Sequence, residues 1–108
     1  MIRKAPSPSA NKVLVIFELP ASLWVQQIHL VGDFNGWDPA SHALMQRRTD
    51  GVWEITLELD AGRRYQFRYL LDDHTWRNDG CADDYVPNAY GGHNSVVVTP
   101  PFLDDVSV

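Results

Sequence analysis

The sequence predicts an all-β chain folded as an antiparallel β-sandwich. Three observations carry this: apolar side chains alternate with period two over several short runs, turn residues break those runs at regular spacing, and no stretch sustains a helical stripe. Val13, Val15, Phe17 and Leu19 alternate with Leu14, Ile16 and Glu18, a first strand that Pro20 ends. A second strand lies within Trp24 to Phe34, and His42 to Arg48 supplies a short third one, closed by Thr49-Asp50-Gly51. Trp53, Ile55, Leu57 and Leu59 alternate with Glu54, Thr56 and Glu58, a strand with one wet face. Asp60-Ala61-Gly62 turns the chain into Arg64 to Leu71, where Tyr65, Phe67, Tyr69 and Leu71 oppose Gln66, Arg68 and Leu70. Asp72-Asp73-His74-Thr75 turns it again and delivers Trp76. The stretch Asn78 to Gly92, rich in Asp, Gly, Pro and Asn, reads as a loop, and Val96-Val97-Val98-Thr99 forms the last strand before Pro100-Pro101.

A chain of 108 residues has room for one domain with one core. The expected organisation is a flexible arm over residues 1–11, a single sandwich over 12–100 and a tail over 101–108. Pro6, Pro8 and the serines around them suggest the mobile arm, which has no apolar run behind its basic residues and so does not read as a signal peptide. No later stretch is long enough to span a membrane as a helix. The one cysteine, Cys81, excludes an internal disulfide and a cysteine-based zinc site, which points to a cytoplasmic protein. A formal net charge of -5 with no Lys/Arg cluster beyond Arg47-Arg48 and Arg63-Arg64 argues against nucleic acid as a partner.

The most informative run is Gly32-Asp33-Phe34-Asn35-Gly36-Trp37-Asp38-Pro39, entered from the strand pattern Ile28-His29-Leu30-Val31. Asn35-Gly36 tolerates positive φ and suits a tight turn between strands; Asp38-Pro39 favours a further change of direction. Trp37 sits directly on that turn. A wide aromatic on a rigid exposed turn suits a ligand with a flat apolar face, such as a sugar ring, while the competing reading folds Trp37 over the sheet edge as a lid on the core.

Catalytic and metal chemistry find little support. Asp72, Asp73, Asp79, Asp83 and Asp84 crowd around Trp76, and a carboxylate pair can hydrolyse a glycosidic bond when an apolar pocket holds one of them protonated. Here they stand in polar loop sequence and read as solvated turn residues; a calcium role for Asp79, Asp83 and Asp84 fits no recognisable spacing. His29, His42, His74 and His93 lack metal-ligand spacing, and Cys81 has no obvious base partner. What remains is an aromatic and polar set on turns and strand ends: Trp37, Trp76, Arg68, Asn94 and the loop Tyr85 to Gly92. Aromatic faces cover the C–H side of pyranose rings, while planar polar groups take the hydroxyls. On strand alternation alone Arg68 points outward, and for an isolated arginine a surface charge paired with Asp or Glu is the commoner reading.

In order and spacing, His29-Leu30-Val31-Gly32-Asp33-Phe34-Asn35-Gly36-Trp37, Gly51-Val52-Trp53-Glu54-Ile55, Tyr65-Gln66-Phe67-Arg68-Tyr69, Asp72, Trp76, Asn78-Asp79 and Gly91-Gly92-His93-Asn94-Ser95-Val96 resemble one family. It is the starch- and glycogen-binding early-set domains, carbohydrate-binding module family 48. Its members include the N-terminal domains of isoamylases and branching enzymes and the glycogen-binding domain of the AMP-activated protein kinase beta subunit. The resemblance runs from Lys12 to Thr99. It implies an immunoglobulin-like sandwich of early-set type, needing no cofactor, that binds α-1,4-linked glucans (glycogen, starch, maltooligosaccharides) without cleaving them.

In glycogen-binding members two tryptophans stack on the glucan, and these match Trp37 and Trp76. A basic residue matches Arg68 and an asparagine matches Asn94. Arg68 stands where lysine is usual, which keeps the charge and changes the donor geometry. Asp72-Asp73-His74-Thr75 replaces the shorter, glycine-containing hairpin of the kinase subunit, a departure that threatens to displace Trp76. The same stretch is closer to isoamylase-type members, many of which keep the fold as a spacer with little sugar binding. The alternative function is therefore a protein-interaction or scaffold module, with Trp24 and Trp76 as interface anchors for a glycogen- or starch-metabolising enzyme or another protein.

Overall fold

In the computed structural model, which describes residues 1–38 and 44–101, burial follows the apolar alternation. The first sheet runs β1 (Ile2–Pro6), β2 (Lys12–Leu19), β5 (Trp53–Asp60), β4 (Gln46–Arg47). The second runs β3 (Ile28–Gly32), β6 (Arg64–Leu71), β9 (His93–Val98), β8 (Asp84–Pro87), with β7 (Thr75–Arg77) added beside β6. All pairings are antiparallel. The chain is all-β, a sandwich of immunoglobulin-like type.

The core lies between the sheets. From the first come Val13, Val15, Phe17, Leu19, Trp53 and Leu59; from the second, Ile28, Leu30, Phe67, Tyr69, Leu71 and Val97. Phe17 and Phe67 meet edge to face with ring centroids 5.1 Å apart, and Phe67 meets Tyr69 the same way at 5.6 Å. Trp53, 5 % exposed, faces inward, as its alternation with Leu59 predicts.

Four expectations need correction. The N-terminal arm is not free. Ile2–Pro6 pairs with Val13–Phe17, because the edge of β2 leaves ladder groups to satisfy, and Pro6 is tolerable at an edge-strand end. Arg3 pairs with Glu18, Lys4 Nζ meets Asp83 at 2.7 Å, and the Met1 nitrogen donates to Asp79 Oδ2 at 3.0 Å. Second, the stretch Asn78 to Gly92 is not wholly loop. It contains β8, an edge strand whose Asp84 and Pro87 weaken any strand signal. Third, of the strand expected over His42 to Arg48, the described residues form only Gln46–Arg47 and an isolated bridge at Leu44; residues 42 and 43, like Pro39 and most of the tail (102–108), lie outside the described residues.

Fourth, Asp79 is not a solvated turn residue. At 1 % exposure it accepts from the Tyr69 hydroxyl at 2.7 Å and the Cys81 N–H at 2.8 Å. Burial, and after it the neighbouring Asp79 carboxylate, pushes the Tyr69 phenol well above the usual tyrosine range. Asp79 N–H donates to Ser95 Oγ at 2.9 Å, and Ser95 Oγ donates to Asn78 Oδ1 at 2.8 Å. This knot ties the segment leaving β7 to β9.

Candidate functional site

Strand pairing assembles the site on the outer face of the second sheet. Period two turns Phe67, Tyr69 and Leu71 inward and leaves Gln66 and Arg68 facing out. β3 occupies one edge of β6; β9 and β7 share the other end to end, β9 opposite Arg64–Phe67 and β7 opposite Tyr69–Leu71. Trp76 stands opposite Leu70, so it shares the face of Arg68 and Gln66. Asn94 shares a face with Val96, which pairs with Gln66. The four residues singled out in the sequence, Trp37, Trp76, Arg68 and Asn94, thus line one groove of about 700 Å³, together with Gln66, Asn88, Ala89 and Tyr90.

Trp37 reaches the groove through a turn of unexpected form. Asn35-Gly36 does not close a two-residue hairpin; Asp33–Asn35 forms one 3₁₀ turn, capped by Gly36 at φ 65°. Asn35 serves as a clamp instead: Oδ1 accepts from Gly32 N–H at 3.0 Å and Nδ2 donates to Leu30 O at 2.9 Å. Trp37 itself lies at φ 59°, a conformation that bulky residues rarely adopt unless surrounding bonds impose it. Asp33 imposes it, accepting from Trp37 Nε1 at 2.8 Å and from Gln66 N–H at 2.7 Å. The indole is half-buried, its orientation fixed against β6.

Trp76 is delivered by the loop Asp72–His74, with Asp72 and Asp73 at φ 51° and 63° and His74 N–H bonded to Leu71 O at 3.1 Å. The longer turn leaves Trp76 on the groove, 42 % exposed. Asp72 holds the turn in place by accepting from Gln26 N–H at 2.7 Å and Gln27 N–H at 3.0 Å. The Arg68 guanidinium lies 5.8 Å from the Trp76 ring centroid. Its Nε is buried with no hydrogen-bond partner among the described residues, and no described carboxylate is in ion-pair range.

An amide relay forms the third side. Asn94 Nδ2 donates to Gln66 Oε1 at 3.1 Å, and Asn88 Nδ2 donates to Asn94 Oδ1 at 3.2 Å. Asn88 Oδ1 accepts from Tyr90 N–H and Gly92 N–H at 2.9 and 3.1 Å, folding the loop so that Tyr90 projects at its tip, 94 % exposed. Sequence reasoning pointed to this loop only as a block. The Asn-x-x-x-Gly spacing of Asn88 and Gly92, with a tyrosine between them, was the available signal.

The carboxylates that neighbour Trp76 in sequence disperse in the fold. Asp73 bonds Gln27, Asp83 pairs with Lys4, Asp84 pairs with Arg64, and none lines the groove. Among the described residues no three metal-ligating side chains converge.

Two indoles, a guanidinium and a run of amides thus share one groove on a sandwich face. The chain belongs to the carbohydrate-binding module 48 family, the isoamylase N-terminal domain, whose model matches residues 22–102. It is similar to a 1,4-alpha-glucan branching enzyme of Xanthomonas campestris pv. campestris (strain 8004), 40% identical over 63 residues that cover 52% of this chain and 8% of the relative. Similar branching enzymes occur in Bordetella pertussis (44% over 59 residues, 50% of this chain and 8% of the relative) and Cupriavidus pinatubonensis (42% over 52 residues, 45% and 7%). The chain therefore spans under a tenth of the length of these curated relatives.

Proposed function

We propose that this chain is a non-catalytic binding module for α-1,4-linked glucans such as glycogen, starch and maltooligosaccharides. The observation that supports it best is the opening of Trp37 and Trp76, flanked by Arg68 and Asn94, onto one groove. The indoles cover the apolar faces of successive glucose rings, and the Arg68 and Asn94 groups take ring hydroxyls. Two details favour a neutral polyol over chemistry on it. No described carboxylate lines the groove to act as acid or nucleophile, and the amides of Gln66, Asn88 and Asn94 already satisfy one another in part, as a preorganised site requires.

Binding is weak and nearly indifferent to salt. Two stacked rings and a few exposed hydrogen bonds, each about 0.5–1.5 kcal/mol, correspond to micromolar to millimolar dissociation constants. A neutral glucan releases no counterions. Affinity electrophoresis in glycogen or amylopectin tests the reading: migration slows in the polysaccharide gel by the same factor at low and moderate salt, and no reducing sugar is released from maltoheptaose. Unchanged migration removes the binding role, and released sugar removes the non-catalytic one.

A further inference from the structure

Resting on the glucan-binding reading above, we propose that Trp24 forms a second α-glucan contact, engaged by polymeric but not by short glucans. Trp24 is 98 % exposed, more than any other large apolar residue described. Its orientation is built in. Leu23 and Val25 on either side of it pack against the core and are half-buried, which leaves Trp24 between them turned outward. The segment is also held, since Asp72 accepts the N–H groups of Gln26 and Gln27, and Asp72 N–H returns to Gln27 O at 3.0 Å. One carboxylate thereby anchors both the Trp24 segment and the turn that carries Trp76.

Beside Trp24 lies a hollow of about 310 Å³ lined by Ser22, Gln26 and Arg47 with Leu23 and Val25. Arg47 is itself placed, its guanidinium 5.5 Å from the Trp53 ring centroid. An indole, a hydroxyl, an amide and a guanidinium repeat the donor set of the main groove, yet no described residue lines both concavities. The ligand class is accordingly the same neutral polyhydroxylated ring. A protein partner is disfavoured by size: a stable interface covers roughly 800 Å² per partner with several exposed apolar anchors, and here Trp24 is the one fully exposed indole beside a small hollow whose Leu23 and Val25 are already packed on the core. A glycogen particle presents many chain ends, so a second weak contact raises avidity without raising affinity for a short oligosaccharide.

The test compares wild type, Trp24→Ala and Trp37→Ala/Trp76→Ala by affinity electrophoresis in glycogen and calorimetry with maltoheptaose. Trp24→Ala keeps maltoheptaose affinity within about twofold and loses at least about fivefold in glycogen, because only the polymer reaches both contacts. Trp24→Phe, which keeps a flat ring, recovers most of that loss. The groove double variant loses maltoheptaose binding and keeps a residual retardation in glycogen that adding Trp24→Ala abolishes. Glycogen retardation of Trp24→Ala equal to wild type overturns the proposal; if that variant also fails to bind a purified glucan-metabolising enzyme that wild type binds, Trp24 is a protein anchor. Parallel loss of maltoheptaose and glycogen binding also overturns it, since Trp24 then serves the main groove. Wild type that binds neither ligand removes the glucan-binding reading itself.

Discussion

The Arg68 guanidinium stands over the Trp76 ring, 5.8 Å from its centroid, on the strand with which the strand of Trp76 pairs. The contact orients both groups from one side, and burial of Arg68 Nε limits the ways the side chain can turn. An exposed cation–π contact is worth about 0.5–1 kcal/mol, so Arg68→Leu weakens maltoheptaose binding about five- to tenfold once a lost hydroxyl contact is included. Arg68→Lys, which keeps the charge without the planar fork, weakens it about two- to threefold. Calorimetry with wild-type affinity for Arg68→Leu removes this residue from the site.

Gly32 is needed for space, not for conformational freedom. Its φ of -174° is extended backbone open to any residue. A Cβ there would run into Gln66 O and lie 2.8 Å from Phe67 Cβ. Both neighbours belong to β6, so the strand pair must part to admit it. Gly32→Ala should destabilise the fold by about 2–3 kcal/mol, as overpacking does, and should loosen the Asp33 bond to Gln66 N–H that fixes Trp37. Thermal melting within about 2 °C of wild type contradicts this close approach.

Stability falls at high pH because of Tyr69. Its phenol is raised by burial and by Asp79, so the folded state holds the proton where the unfolded chain releases it near pH 10. The stabilisation is complete below about pH 10 and is lost as pH rises above it. Chemical denaturation between pH 8 and 11 follows the loss, and Tyr69→Phe flattens that limb while lowering stability at neutral pH, since Asp79 loses a donor. An unchanged alkaline limb in Tyr69→Phe assigns the effect elsewhere.

The strands that line the core were legible, because β2 writes its burial as strict alternation and β5 and β6 carry the same apolar period in sequence, although Leu70 and Leu71 of β6 are both buried. The edges were not. Ile2–Pro6 and Asp84–Pro87 pair on one side only, tolerate proline and charge, and so leave no apolar pattern to read. Asp79 failed for another reason: its burial depends on Tyr69 and Ser95, which only the sheet pairing brings to it. In the groove, Trp37 and Trp76 announced themselves by size and turn position. Gln66, Asn88 and Tyr90 did not, since amides and a loop tyrosine are common, and their meaning lies in the relay that links them.

The contrast between tryptophans tests the account most directly, by thermal melts and maltoheptaose titration of Trp37→Ala, Trp76→Ala and Trp53→Ala. Trp53 is buried in the core, and truncating it costs about 3–5 kcal/mol, a fall of roughly 15 °C or more in Tm. Trp37→Ala and Trp76→Ala change stability by little more than about 1 kcal/mol and each weakens maltoheptaose binding at least tenfold, a loss of about 1.4 kcal/mol in binding. Trp37→Ala melting like Trp53→Ala makes the turn tryptophan a lid on the core. Both groove variants folded and binding like wild type place the glucan elsewhere and contradict the site.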